Sequence, residues 1–423
     1  MKEAAAARKE ASSGASGLDL SRVRSIDGVD VRGKRVLVRV DFNVPIENGA
    51  VADTTRLTRV LPTIAKLARE GAKVVVLSHL GRPKGQPTPD TSLRPVATKM
   101  QGLMPGTAIR FAAAPSGDDA KRVVDSLKPG EVAVLENVRY HKGEEKNDRE
   151  FAKSLAALGD VYVNDAFSSS HRAHASLEAI TDLLPSYAGL LMMAEITALG
   201  QTLESPERPV MAITGGAKVS TKIEVLTNLV SCMDQLVVGG GMANTFLLAK
   251  GIKLGASLVE RDFVSTAKDI MGKAERAGCE VVLPIDVVVA KELKPGADWQ
   301  VCALDQVPVD AMILDFGPES IAELKRRLGQ VKTVLWNGPL GAFETPPFGE
   351  GTFALAREVA RLTQAGKLVS VAGGGDTVRA LNQAHVADDL SYVSTAGGAF
   401  LEWLGGAELP GVAALARSGS RAS

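Results

Sequence analysis

Short runs of Val, Ile and Leu, each closed by Gly, Asn, Asp or His, alternate along the chain with stretches of helical period. KRVLVRV (34–40), AKVVVLS (72–78), EVAVLE (131–136) and DVYVN (160–164) are near-continuous apolar runs of strand length. Between them, TTRLTRVLPTIAKLARE (54–70) and DREFAKSLAAL (148–158) carry apolar residues at helical spacing. A strand apolar on both sides is buried on both faces, as in a parallel sheet covered by its crossover helices. The pattern repeats in PVMAIT (209–214), DQLVV (234–238), EVVLP (280–284), KTVLW (332–336) and KLVSVA (367–372). Residues 186–203 (SYAGLLMMAEITALGQTL) read as one helix joining the two series. The expected fold is α/β: two doubly wound parallel-sheet (Rossmann-like) domains joined by a helix, with a cleft and hinge between them. The boundaries expected are a flexible tail over 1–17, a first domain over 18–185, an interdomain helix over 186–203 and a second domain over 204–404.

A length of 423 residues fits two or three domains. Lys+Arg and Asp+Glu both total 49. That balance recommends neither nucleic acid nor an anionic membrane as the main partner, and it fits a monomer. Cys232, Cys279 and Cys302 are too few and too scattered for a disulfide framework, and no C-x-x-C pair suggests a metal or redox centre. A reducing, cytoplasmic location is expected. The most apolar stretch, Ala179 to Leu199, carries Asp182, Pro185 and Glu195 and reads as a buried or linking helix rather than a membrane span. The first 17 residues read either as an Ala/Ser-rich tail or as a fragment of an organellar address, with two Glu residues against the second.

Ligands of open α/β sheets bind at the carboxyl ends of the strands, so the residues after each run carry the chemistry. In the first half these are DFN (41–43), SHLGRP (78–83), ENVRYHKGEE (136–145) and NDAFSSSHRAHAS (164–176). They bring Arg82, Arg139, Arg172, His79, His141, His171 and His174 to one edge, including four of the five histidines in the chain. Guanidinium groups clustered at strand ends suit a small polyanion; solvated loop charge is the other reading of any one of them.

The second half ends its strands in TGGAKVSTK (214–222), GGGMANTF (239–246), PID (284–286), WNGPLGAFE (336–344) and AGGGDT (372–377). Glycine lets backbone approach a phosphate, and the helix that follows offers free N–H groups; tight turns with no ligand explain any one such run equally well. Lys218 and Lys222, spaced by one helical turn, can face the same phosphates. Asp376 can ligate Mg²⁺ or cap a helix. Neither G-x-x-x-x-G-K-[ST] nor G-x-G-x-x-G is present. An arginine-rich half and a glycine- and lysine-rich half together pose phosphoryl transfer across a cleft.

RVDFNVP (39–45), SHLGRPKG (78–85), LENVR (135–139), DAFSSSHRAHAS (165–176), GGAKVSTKI (215–223), GGGMANTF (239–246), WNGPLGAFE (336–344) and GGGDT (373–377) closely resemble the motifs of the phosphoglycerate kinase family, in order and spacing. The resemblance runs from about Ser25 to Leu415. Ser168-Ser169-Ser170 stands where that family often has Gly plus small residues, and Tyr140 where Phe is usual; neither departure is expected to touch a charged group. The resemblance implies a transferase of the kinase type with a carboxyl group as acceptor: ATP + 3-phosphoglycerate ⇌ ADP + 1,3-bisphosphoglycerate, in glycolysis, gluconeogenesis or carbon fixation. A different small-acid kinase on the same frame, or a non-catalytic relative, is the alternative.

On that resemblance Asp41, Asn43, Arg56, His79, Leu80, Gly81, Arg82, Arg139 and Arg172 bind phosphoglycerate, and Arg39 lies at the transferred phosphoryl group. Lys222 holds nucleotide phosphates and Lys218 the group in flight. Gly240, Asn337, Pro339 and Glu344 line the adenosine pocket. Gly374, Gly375 and Thr377 present donors to the outer phosphates, and Asp376 holds Mg²⁺. The first domain is then the phosphoglycerate-binding one, the second the nucleotide-binding one, and 405–423 resembles a tail that packs back on the first. An ionised carboxylate acceptor needs no general base, so catalysis is expected from alignment, charge neutralisation and exclusion of water by hinge bending.

Overall fold

The computed structural model describes residues 19–420, so the tail expected over 1–17 lies outside the described residues. The chain divides into two compact units, one of 19–197 with 408–420 and the other of Ala198–Ala407.

The first unit contains β1 (Arg35–Arg39), a small hairpin of β2 (Ile46–Glu47) and β3 (Ala50–Val51), then β4 (Lys73–Leu77), β5 (Ile109–Ala112), β6 (Val132–Leu135), β7 (Val161–Asn164) and β8 (Ser186–Ala188). Helices α1 (Thr55–Arg69), α2 (Arg94–Leu103), α3 (Gly117–Asp125) and α4 (Arg149–Ala156) connect them, and α5 (Leu190–Leu199) follows β8. The six-stranded sheet, ordered β5-β6-β4-β1-β7-β8, is parallel throughout. Strand alternation sorts its side chains to two faces. Val36, Val38, Val74, Val76, Val132 and Val134 pack with Leu57, Ile64 and Leu67 of α1 and Met100 of α2. Leu37, Val75, Leu77, Leu135 and Tyr162 pack with Val124 of α3 and Phe151 and Leu155 of α4. With both faces covered, the strands carry the apolar runs seen in the sequence. Central β1 pairs Arg39 with Leu77 on one side and Asn164 on the other, so three loops leave the sheet together at its carboxyl edge.

The second unit contains β9 (Val210–Thr214), β10 (Gln235–Val238), β11 (Glu280–Val282), β12 (Asp286–Ala290), β13 (Trp299–Ala303), β14 (Met312–Phe316), β15 (Thr333–Asn337), β16 (Val369–Gly373) and β17 (Tyr392–Ser394). Its helices are α6 (Ile223–Cys232), α7 (Gly240–Ala249), α8 (Val264–Ala277), α9 (Pro318–Leu328), α10 (Glu350–Gln364), α11 (Gly375–Gln383) and α12 (Gly398–Leu404). The parallel sheet β11-β10-β9-β15-β16-β17 has the doubly wound order, with its topological switch between β9 and β15.

Two features depart from the sequence reading. Residues 186–203 are not one helix. Ser186–Ala188 add an edge strand to β7, because the sheet offers them a backbone partner: Tyr162 N donates to Pro185 O at 2.9 Å. The helix starts only at Leu190, where the buried Asp165 carboxylate accepts Met192 N at 2.9 Å, and it ends in a π-helical turn over Gly200–Glu204. A three-stranded antiparallel sheet, β13-β12-β14, also stands beside the second parallel sheet and was not foreseen. Its edge strand β13 is mostly exposed, so it has no apolar run to betray it.

The last helix, α13 (Pro410–Ser420), belongs to the first unit. Gly411 N donates to Ser170 O at 2.9 Å, and Arg417 pairs with Glu178 at 3.0 Å. A Cβ on Gly419 would lie 2.1 Å from Arg22 O, so the helix lies against backbone there. Val412, Leu415 and Ala416 are buried. Leu415→Ala is expected to destabilise the first unit by about 2–5 kcal/mol through lost burial and an unfilled cavity, read as a lower urea midpoint.

Candidate active site

The carboxyl edge of the first sheet gathers a basic cluster. Arg39 ends β1 and is fully buried. Its Nε donates to Ser176 Oγ at 2.9 Å, Nη1 donates to Val40 O, and Nη2 meets His79 Nδ1 at 3.1 Å. A guanidinium only donates, so His79 Nδ1 accepts and its ring proton sits on Nε2. Burial lowers His79 well below the ordinary histidine range, with Arg39, Arg139 and Arg172 adding to the effect. His174 is pushed down to about 3 by burial and then by the same arginines. Both imidazoles are therefore neutral at pH 7.

Asp41 anchors the loop after β1. Its Oδ2 accepts from Arg56 Nη1 at 2.7 Å and from Ser168 Oγ at 2.5 Å, and its Oδ1 accepts from Asn43 N at 2.9 Å. Asn43 Oδ1 accepts Gly81 N at 2.9 Å, and Arg139 Nη1 donates to Gly81 O at 2.7 Å. Asn137 ties the same loop down by donating to Leu80 O at 2.7 Å. Arg172 donates from Nε to His171 Nε2 at 3.1 Å, and Arg82 is exposed. Burial, then Arg39 and Arg172, lower Arg139 to about 10, which leaves it charged at neutral pH. The expectation that Ser168 touches no charged group is wrong: its hydroxyl is short enough to reach Asp41, as a glycine there could not. The Tyr140 hydroxyl bonds Thr88 O and the Thr91 hydroxyl, both uncharged.

In the second unit, strand-end loops pack backbone on backbone. A Cβ on Gly215 would lie 1.8 Å from Pro339 O, and one on Gly338 (φ +110°) 2.3 Å from Gly215 O. Gly240 N donates to Leu340 O at 2.7 Å and Gly215 N to Asn337 O at 3.0 Å. These glycines serve loop-to-loop contact at the switch between β9 and β15. Gly375, the first residue of α11, has nothing within 4 Å of its Cβ position, so there the backbone is open to a ligand.

Lys218 and Lys222 do not share one face of an α-helix. A 3₁₀ turn over Val219–Thr221 separates them; Lys218 lies in extended backbone (φ −136°, ψ 129°), whereas Lys222 (φ −134°, ψ 17°) is neither extended nor helical. Lys218 is exposed. Lys222 Nζ donates to Gly215 O at 2.7 Å, Asn337 O at 3.1 Å and Asn337 Oδ1 at 2.6 Å. Burial lowers it to about 8, while Asp376 opposes the shift; three surrounding oxygens use all three of its protons.

Beside these loops lies a cavity of about 310 Å³. Gly240, Pro339, Glu344 and Asp376 line it, together with Leu258, Met312, Leu314 and Phe343. Asn337 does not line it: its side chain is buried and its Nδ2 donates to Gly373 O at 2.8 Å. Thr377 is likewise occupied, its hydroxyl accepting Gly338 N at 2.7 Å, and Gly374 (φ +96°) turns the chain into α11. Asp376 does not cap that helix; its exposed carboxylate meets Arg379 at 2.6 Å, and Arg379 also reaches Glu344 at 2.6 Å. Among the described residues no group of three or more His, Cys, Asp or Glu gathers for a metal. A mostly apolar slot opening toward a glycine turn and a helix N-terminus suits a nucleotide base and its phosphates.

A family model described as phosphoglycerate kinase matches residues 26–407. The chain belongs to the phosphoglycerate kinase family. It is 57% identical over 386 residues to a phosphoglycerate kinase of Chelativorans sp. (strain BNC1), covering 91% of this chain and 97% of that protein. It is 56% identical over 392 residues to one of Ruegeria sp. (strain TM1040), covering 93% and 99%. Among solved structures, the phosphoglycerate kinase of Coxiella burnetii is similar with a TM-score of 0.87 and 41% identity, over 93% of this chain and 99% of that one. That of Pyrococcus horikoshii OT3 gives 0.76 and 29%, over 94% and 99%.

Two groups at the site leave no signal in the family motifs. Met312 and Leu314 come from the unforeseen antiparallel strand β14 and look in sequence like ordinary core. Glu144 and Ser176 lie inside the strand-end loops, but only folding brings Ser176 against Arg39 and Glu144 against Ser176.

The neutral histidines give a pH prediction. Unfolded, each takes up a proton near pH 6.5; folded, His174 resists until about pH 3. The unfolded state therefore binds more protons in this window, and stability falls as pH drops, by at most about 1.4 kcal/mol per pH unit per histidine. His174→Asn is expected to show a shallower acid loss of stability between pH 6.5 and 4 in urea titrations than the parent chain.

Proposed function

We propose that the two sets of strand-end loops divide one reaction between them: reversible phosphoryl transfer between ATP and the carboxylate of 3-phosphoglycerate. The activity follows from membership of the family at 57% identity over 91% of the chain. The residue roles rest on the chemistry of the loops. The observation that carries the reading is the pairing of unlike half-sites, an arginine cluster with neutral histidines in one unit and an apolar slot meeting an open glycine turn in the other.

On this reading Arg56, Arg82, Arg139 and Arg172 take the anionic end of phosphoglycerate, with Asp41 and Asn43 fixing its hydroxyl and carboxyl end. His79, held neutral, serves as a packing and hydrogen-bonding group. The acceptor carboxylate is ionised at neutral pH, so no base is required. The chain's work is to align acceptor and donor and to offset the charge of the transferring group. Arg39 and Lys218 supply positive charge there, and Lys222 binds nucleotide phosphate by exchanging carbonyl oxygens for phosphate oxygens. The residues fit Mg²⁺ as well: a single exposed carboxylate, Asp376, beside the open backbone of Gly375 suits a cation that takes its other ligands from phosphates and water. When bound, Mg²⁺ neutralises phosphate charge. Water must be excluded or ATP would hydrolyse, so hinge bending during turnover belongs to the proposal. Three free cysteines support a reducing, cytoplasmic setting, and action as a monomer is part of the same reading.

The test couples the purified chain, with 3-phosphoglycerate and Mg-ATP, to glyceraldehyde-3-phosphate dehydrogenase and follows NADH loss. Turnover is expected only with both acceptor and Mg²⁺; folded protein that binds Mg-ATP without turnover would point to another acceptor. Arg39→Ala and Lys218→Ala are expected to lower kcat by about 100-fold or more while the circular dichroism spectrum is kept. Near-normal kcat in either would remove that residue from the mechanism.

A further inference from the structure

Glu144 is a fully buried carboxylate in the loop between β6 and α4, and the roles proposed above leave it without a task. Its Oε1 accepts from Ser176 Oγ at 2.6 Å and its Oε2 from Ser176 N at 3.0 Å. Its backbone carbonyl accepts Ala175 N at 2.9 Å. Ser176 is also fully buried, and its own carbonyl accepts the Tyr162 hydroxyl of β7 at 2.7 Å. A serine hydroxyl has one proton. Here it goes to Glu144, so the oxygen facing Arg39 Nε, 2.9 Å away, acts as acceptor.

We propose that Glu144, acting through the Ser176 hydroxyl, is the positioning residue that sets the orientation of the Arg39 guanidinium for phosphoryl transfer. The proposal rests on the reading of Arg39 as the residue at the transferred group. A carboxylate bonded directly to a guanidinium takes two of its N–H groups in a fork. The same charge relayed through a hydroxyl takes one. Arg39 then commits three of its five N–H groups, to Ser176, Val40 and His79, and keeps two for an incoming anion. Glu144 also supplies a resident negative charge in a pocket that holds Arg39, Arg139 and Arg172 before any substrate arrives. Burial raises its own affinity for a proton, and the Arg39 charge and the two Ser176 donors oppose that.

Two variants and one spectroscopic probe test this. Ser176→Ala deletes the relay hydroxyl yet leaves Glu144 its backbone donor and adds no volume. Glu144→Gln keeps the shape and removes the charge. Both are assayed where thermal melts show them folded. Ser176→Ala is expected to lower kcat by about tenfold or more, with KM for both substrates within about threefold, the split produced by misorientation rather than lost binding. Glu144→Gln is expected to lower kcat in the same direction. The Arg39 Nε–H resonance in ¹H–¹⁵N spectra, assigned by its loss in Arg39→Lys, is expected to shift and exchange faster in Ser176→Ala. Variants that keep kcat within about twofold, with or without a lowered melting temperature, overturn the proposal, provided Arg39→Ala abolishes turnover. If Arg39→Ala itself retains kcat, the underlying reading of Arg39 fails instead, and the two failures are told apart by that one control.

Discussion

The carbonyl oxygen of Pro339 stands 1.8 Å from where residue 215 would carry a side chain. That close approach governs the second unit. The strands β9 and β15 run side by side to the same edge, and their loops must part there around a ligand-sized space while remaining bonded to one another. Only glycine at positions 215 and 338 lets the backbones come so near. Once they do, the carbonyls of Gly215 and Asn337 converge on one point, and the Lys222 ammonium fills it. A single cation thus ties the loops together, and the geometry that demands glycine is the geometry that presents lysine.

The first unit solves the opposite electrostatic problem. Its strand-end cluster is built from arginines, which repel one another. The fold answers with neutral imidazoles rather than charged ones, and with acceptors that include backbone carbonyls, imidazole nitrogens and carboxylates. Asp41 is held by Arg56 and Ser168 at the rim, whereas Glu144 works in the interior. These bonds fix the orientation of the Arg39 and Arg56 guanidinium groups, while Arg39 keeps two N–H groups uncommitted.

Much of this was legible in the chain because parallel strands buried on both faces leave continuous Val and Leu runs. The five runs of the second half and the four of the first that were read as strands all proved to be strands, within a residue or two at each end. What escaped was structure whose stability comes from a neighbour. Ser186–Ala188 is a strand because β7 lies beside it, and β13 carries mostly exposed residues. The strand-end loops were readable as places of chemistry, yet spacing misjudged their geometry. Lys222 follows Lys218 by four positions, as on one helical face, but the backbone between them is a 3₁₀ turn. Asn337 and Thr377, read as ligand contacts, have their side chains committed to neighbouring loops. The relay from Glu144 spans 32 residues to Ser176 and a further 137 back to Arg39, a separation that no local pattern reports.

The placement of α13 has a consequence for how the protein is made. Arg22 and Ser420, separated by 398 positions, are hydrogen-bonded within the same unit. A ribosome releases the chain from its amino end, and a segment folds when its partners have emerged. The second unit is contiguous and can close as soon as its own residues are out. The first unit, although synthesised first, stays open against the face that α13 covers until residues 410–420 appear. Until then Val412 and Leu415 have not reached their places, and the surface awaiting them is exposed to the cell. The order in which the two units are synthesised and the order in which they are completed are thus reversed.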